Sequence, residues 1–127
     1  MKKLKAQVAV LDDEEPVRRA LERLLRSAGL GVDVFATGED FFARAGSLDP
    51  DCLILDLHMP GMTGFDVQAR LIALHSSIPV VIITGHDTPE ARARVDVAGA
   101  AAYLQKPVDE QALLDAIDLA IARGGNL

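Results

Sequence analysis

Five short apolar runs punctuate the chain: AQVAVL (6–11), VDVFA (32–36), CLIL (52–55), PVVIIT (79–84) and AAYLQ (101–105). The third and fourth do not alternate apolar with polar and are rich in Ile, Leu and Val, which suits strands of a parallel sheet covered on both faces. Between the runs the period becomes helical. Val17, Ala20, Leu21, Leu24, Leu25 and Ala28 form one stripe and predict a helix over 16–28, with Arg18, Arg19, Arg23 and Arg26 mostly off it. Pro16 suits a first helical position and Gly29 lies just past the end. Thr37 can cap a helix over 38–46, and Phe65, Ala69 and Ile72 mark one over 64–75. Thr88-Pro89 opens a helix over 89–98 that Gly99 closes. Asp109 opens the last helix, with Leu113, Ile117, Ala120 and Ile121 as its stripe.

Five β-α units in succession predict an α/β fold, with right-handed crossovers and helices on both faces of a parallel sheet. Ligands of such sheets bind beyond the carboxyl ends of the strands. No internal repeat or second domain is evident. Residues 1–122 read as one domain and 123–127 as a tail or the start of a linker.

The net charge of −6 argues against nucleic-acid binding by this chain, and Lys2, Lys3 and Lys5 are too few to change that. Cys52 is alone, which excludes a disulfide framework and fits a reducing cytoplasm. It sits in an apolar run, so a buried small hydrophobe is its default reading. No apolar stretch reaches membrane-spanning length.

Polar residues gather where the strands end. Run one leads into Asp12, Asp13 and Glu14, run three into Asp56, run four ends in Thr84, and run five is followed by Lys106. The fold brings these to one edge. Each has a plain alternative: loop-capping acids, a strand-end hydroxyl, a solvated lysine. Asp56 is the hardest to read so, because an acid following four apolar residues is costly to bury unpaired. Together they suit a divalent cation held by carboxylate oxygens. They also suit a carboxylate nucleophile toward phosphorus, with an ammonium and a hydroxyl for the phosphoryl oxygens.

The segments VAVLDDEEPVR, LILDLHMPGMTGFD, VVIITGH and AAYLQKPVD resemble the receiver domain of bacterial two-component response regulators. The likeness spans essentially the whole chain. It is closest to regulators of the FixJ and NarL kind, which carry a helix-turn-helix output domain. It implies a flavodoxin-like doubly wound (βα)5 fold with strand order 2-1-3-4-5. It makes Asp56 the phosphoacceptor, charged by a sensor histidine kinase, and the chain a phosphorylation-activated switch. Mg2+, replaceable by Mn2+, would be held by Asp13, Asp56 and the His58 backbone carbonyl, with Asp12 acting through water. Thr84 and Lys106 would contact the phosphoryl group, Thr84 and Tyr103 would form the switch, and Lys106–Pro107 would be a cis peptide. His58 and His86 would border the phosphoryl group, where they either affect its lifetime or are merely solvated.

The resemblance further implies a cytoplasmic protein, a DNA-binding output domain if the natural chain is longer, and a homodimer on phosphorylation. Ala101 and Ala102 stand where the subclass that dimerises through helix four, strand five and helix five carries an acid. Other functions fit less well. An aspartate-nucleophile phosphatase of the haloacid-dehalogenase kind wants a second acid two residues after the nucleophile, where this chain has His58. No G-x-x-x-x-G-K-[ST] or G-x-G-x-x-G loop is present for a nucleotide.

Overall fold

Successive side chains of a strand point to opposite faces, and here both faces are apolar because helices cover both. The structure, a computed structural model, describes residues 5–124, with only the backbone of Ala45; Lys2, Lys3 and 125–127 lie outside the described residues. Its strands are β1 (Gln7–Leu11), β2 (Gly31–Phe35), β3 (Cys52–Asp56), β4 (Val80–Thr84) and β5 (Ala102–Gln105). Its helices are α1 (Glu15–Ser27), α2 (Gly38–Leu48), α3 (Gly64–Ala73), α4 (Pro89–Val97) and α5 (Glu110–Gly124). All pairings are parallel, and the order is β2-β1-β3-β4-β5. The doubly wound topology read from the alternating pattern and from the family likeness is the one observed.

Two cores flank the sheet. Val8, Val10, Cys52, Ile54, Val81 and Ile83 meet α1 and α5 through Leu21, Leu25, Leu113 and Ile117. The intervening residues Ala9, Leu11, Leu53, Leu55, Val80 and Ile82 meet α2, α3 and α4 through Phe41, Val67, Leu71, Ala91 and Val95. β3 and β4 are buried at every position, which is why their sequences show no alternation. Cys52 is fully buried and unbridged, and burial pushes its thiol up to about 12.

The caps sit where the polar signals put them. The Thr37 hydroxyl accepts from Asp40 N–H at 3.0 Å, Thr88 from Ala91 N–H at 3.0 Å, and the Asp109 carboxylate from Ala112 N–H at 2.8 Å. Thr63 and Asp66 form a reciprocal capping box on α3.

Three expectations need correction. The inward face of α3 is Gly64, Val67, Gln68 and Leu71, while Ala69 and Ile72 are exposed. The apolar spacing of Phe65, Ala69 and Ile72 satisfied the helical period one face away from the true one. On α1, Ala20 and Ala28 are exposed, so the buried stripe is narrower than the alanines suggested. Arg123 and Gly124, assigned to a tail, continue α5.

Gly64 decides how close α3 comes to the end of β3. Its N–H donates to Leu57 O at 3.0 Å. A Cβ there would run into the Asp56 carbonyl oxygen and come within 2.7 Å of Leu57 Cα. Both obstacles are backbone and cannot swing aside. Gly64→Ala is therefore expected to lower stability by about 1–3 kcal/mol, as overpacking does. Urea unfolding measures it; a midpoint equal to wild type would refute the close approach.

Candidate functional site

Strand parity sorts the polar side chains before any contact is considered. Val8 and Val10 face the α1/α5 layer, as do Cys52 and Ile54, and Ala102 and Leu104. Two residues on in each case come Asp12, Asp56 and Lys106. Ile82 and Tyr103 belong to the other layer, and Thr84 follows Ile82 by two. The acids and the lysine thus leave one face of the sheet edge, and Thr84 and Tyr103 leave the other.

On the first face the charges converge. Asp12 is wholly buried and Asp56 is 2% exposed. Asp12 Oδ1 accepts from Glu14 N–H at 2.9 Å. Lys106 crosses over Gly85 at the end of β4, where a Cβ would meet its Cδ at 3.9 Å. Its Nζ then lies 2.9 Å from Asp12 Oδ2, 3.2 Å from Glu14 Oε1 and 3.4 Å from Asp56 Oδ1. The Asp12 pair is one of charge; the angle makes no hydrogen bond to that buried oxygen. The Lys106–Pro107 peptide is cis, and Lys106 N–H donates to Thr84 O at 2.7 Å.

Asp13 is partly exposed beside them. Asp12, Asp13 and Asp56 each offer an oxygen within 4.8 Å of the other two. Three hard oxygen donors, one of them carrying a buried lone pair that no hydrogen bond satisfies, suit a hard divalent cation. Asp56 shows the same pressure. Burial above all, and then the Asp12 charge, raise its carboxyl to about 7 against the lowering pull of Lys106. Burial works against the Lys106 ammonium too, but Asp12, Asp56 and Glu14 outweigh it and hold the group above its ordinary value.

On the second face Thr84 is buried, and its hydroxyl accepts from His86 N–H at 3.1 Å. Tyr103 is half-buried. Its hydroxyl is enclosed near the Asp87 carboxylate without good hydrogen-bond geometry. The Arg92 guanidinium lies over the ring, 4.5 Å from its centroid, and 3.1 Å from Asp87. Burial and Asp87 raise the phenol; the phenol and Arg92 lower the Asp87 carboxyl.

His58 and His86 are both exposed, and their rings meet edge to face with centroids 5.6 Å apart. Phe65 lies 6.4 Å from His58 and carries Arg94 at 3.9 Å on its ring. His75, at the far end of α3, is remote from both.

Several neighbours were not singled out from the sequence: Glu14 as a partner of Lys106, Asp87 and Arg92 around Tyr103, and Arg18. The Arg18 Nη1 donates to the Asp12 carbonyl at 2.8 Å. Helical side chains lean toward the N-terminus, so an arginine in the first turn points back at the loop before it. That geometry was the available signal.

The model of the response regulator receiver domain family matches residues 8–118. The response regulator protein TmoT of Ectopseudomonas mendocina is 40% identical over 114 residues, covering 90% of this chain and 52% of that protein. The solved structure of the response regulator StyR superposes with a TM-score of 0.88 at 41% identity, over 95% of this chain and 61% of that one. Full-length FixJ from B. japonicum does so with a TM-score of 0.89 at 34% identity, over 98% and 61%. The chain spans about half the length of the curated relatives it matches.

The raised Asp56 carboxyl has a consequence for stability. An acid whose folded value lies above its unfolded one costs nothing below the unfolded value, near 4. It costs progressively more as pH rises through the folded value, about 7. In metal-free buffer Asp56→Asn should therefore change stability little near pH 4 and raise it at pH 8, on the order of 2–4 kcal/mol. Unfolding at the two pH values checks this; an equal effect at both would refute it.

Proposed function

The chain belongs to the response regulator receiver domain family, and on that premise we propose that Asp56 takes a phosphoryl group from the phosphohistidine of a sensor histidine kinase. The observation that carries this is a buried strand-end carboxylate within reach of two further acids and one lysine. Ionised Asp56 attacks phosphorus, the new bond forms from its Oδ, and the N–P bond breaks. The electron pair returns to the imidazole, whose other ring nitrogen carries a proton when the transfer begins, so the ring leaves neutral. When bound by Asp13, Asp56, the His58 carbonyl and, through water, Asp12, Mg2+ or Mn2+ supplies positive charge that favours ionised Asp56 and offsets the incoming phosphoryl oxygens.

The chain's own groups do the rest. Lys106, already 3.4 Å from Asp56 Oδ1, is a point charge on a flexible stem that can transfer to a phosphoryl oxygen. Doing so draws it from Asp12 and Glu14. The Thr84 hydroxyl exchanges His86 N–H for a second phosphoryl oxygen. Tyr103, packed in the same layer as Thr84, turns inward into the space given up, shedding Arg92 and Asp87. The shift is between conformations that pre-exist.

The chain acts on itself, accepting the group and slowly losing it to water, and has no separate substrate. The extra length of the relatives supports an output domain beyond this segment, DNA-binding and controlling transcription. A homodimer on phosphorylation and a cytoplasmic setting complete the reading. Among the described residues no helix is long and apolar enough to cross a membrane.

Acetyl phosphate with Mg2+ should label the protein stoichiometrically. Asp56→Asn should take no label, and Lys106→Met should be labelled at least tenfold more slowly. Label on Asp56→Asn would sink the assignment. Tyr103 is the only tyrosine and there is no tryptophan, so intrinsic emission reports this side chain alone. It should change on labelling in wild type and stay fixed in Thr84→Ala; an unchanged wild-type signal refutes the Tyr103 movement.

A further inference from the structure

Two imidazoles meet on the loops that follow Asp56 and Thr84. His58 lies two residues beyond Asp56 on the β3–α3 loop, and His86 two beyond Thr84 on the β4–α4 loop. Both are exposed, and their ring centroids are 5.6 Å apart. A metal bound tetrahedrally at about 2.0–2.1 Å from one nitrogen of each ring would set the centroids about 5.2 Å apart. The gap between these separations is a few tenths of an ångström. Because the rings now meet edge to face, the one presenting its face must also rotate about its Cβ–Cγ bond to aim a nitrogen at the ion, which an exposed side chain can do without backbone movement.

We propose that His58 and His86 form a site for a borderline or soft divalent cation such as Ni2+, Zn2+ or Cu2+, separate from the acidic set below. Neutral imidazole prefers these ions, whereas carboxylates suit Mg2+. Water completes the shell, since the pair supplies two protein ligands. An ion there ties the β3–α3 loop to the β4–α4 loop. It also stands across the approach to Asp56, so it opposes phosphoryl acceptance. That consequence rests on the function proposed above; the binding does not.

Tag-free protein titrated with Ni2+ by calorimetry, in millimolar Mg2+ that occupies the acids, tests the site directly. Only three histidines are present. His58→Ala and His86→Ala should each weaken Ni2+ binding at least tenfold, and His75→Ala by less than twofold. Binding that survives both rim substitutions, or that Mg2+ abolishes, overturns the site. In labelling by acetyl phosphate, saturating Ni2+ should slow wild type at least fivefold and His86→Ala by less than twofold. Equal slowing in both would overturn the blocking role. Failure to label without Ni2+ would count against Asp56 as acceptor, and the calorimetry would still decide the metal site.

Discussion

Two carboxylates buried almost side by side, at the ends of β1 and β3, are the constraint around which the sheet edge is arranged. Neither can be solvated where it sits, and the Asp12 charge raises the cost of ionising Asp56. The fold answers with an ammonium carried in from β5, across the intervening β4. The Lys106 stem passes Gly85 on the way, and that route requires β5 to lie beyond β4. It also requires α3 to start without covering the pocket, and the close approach of Gly64 to the Asp56 backbone meets that need. Strand order, the close approach of Gly64 at the start of α3 and one long side chain serve a single electrostatic problem.

Parity divides the remaining work. Because Asp12, Asp56 and Lys106 leave one face and Thr84 and Tyr103 the other, the charge pocket and the aromatic lie in different packing layers. They are connected through the β4 end. Lys106 N–H holds the Thr84 carbonyl, and the Thr84 hydroxyl holds the next loop. The helix that follows is lightly anchored. α4 buries only Ala91 and Val95, leaves Val97 88% exposed, and lays Arg92 on Tyr103 and Arg94 on Phe65. Such cation–π contacts at exposed positions are worth about 0.5–1 kcal/mol each. Displacing α4 therefore costs far less than displacing α5, whose Leu113, Ile117 and Ala120 are buried.

These features were unequally legible in the sequence. Buried strands carry no polar alternation, so an acid, a hydroxyl or a lysine at the end of an apolar run stands out, and Asp12, Asp56, Thr84 and Lys106 could be read directly. The inward face of α3 could not. It admits Gly64 and the buried Gln68, and it leaves Ile72 56% exposed. A rule that sends apolar residues inward turns that helix by one face. Arginine contacts were the least legible. The stem of Arg18, Arg92 or Arg94 spans several possible partners, and only the packed fold selects one.

The partners of Lys106 show why the pocket is poised instead of settled. Three carboxylates (Asp12, Glu14 and Asp56) share one ammonium, with Asp13 beside two of them, and the closest contact is with Asp12, not Asp56. Its best partner in this state is therefore an acid other than Asp56, the proposed acceptor. A phosphoryl group on Asp56 adds roughly 1.5–2 negative charges with strong acceptor oxygens, enough to reverse that preference. The lysine can move only by releasing Asp12 and Glu14, which leaves Asp12 buried with less compensation. A divalent cation among the acids removes that penalty in advance. On the proposed function, cation binding and lysine transfer are thus coupled through Asp12, whose buried oxygen no hydrogen bond satisfies.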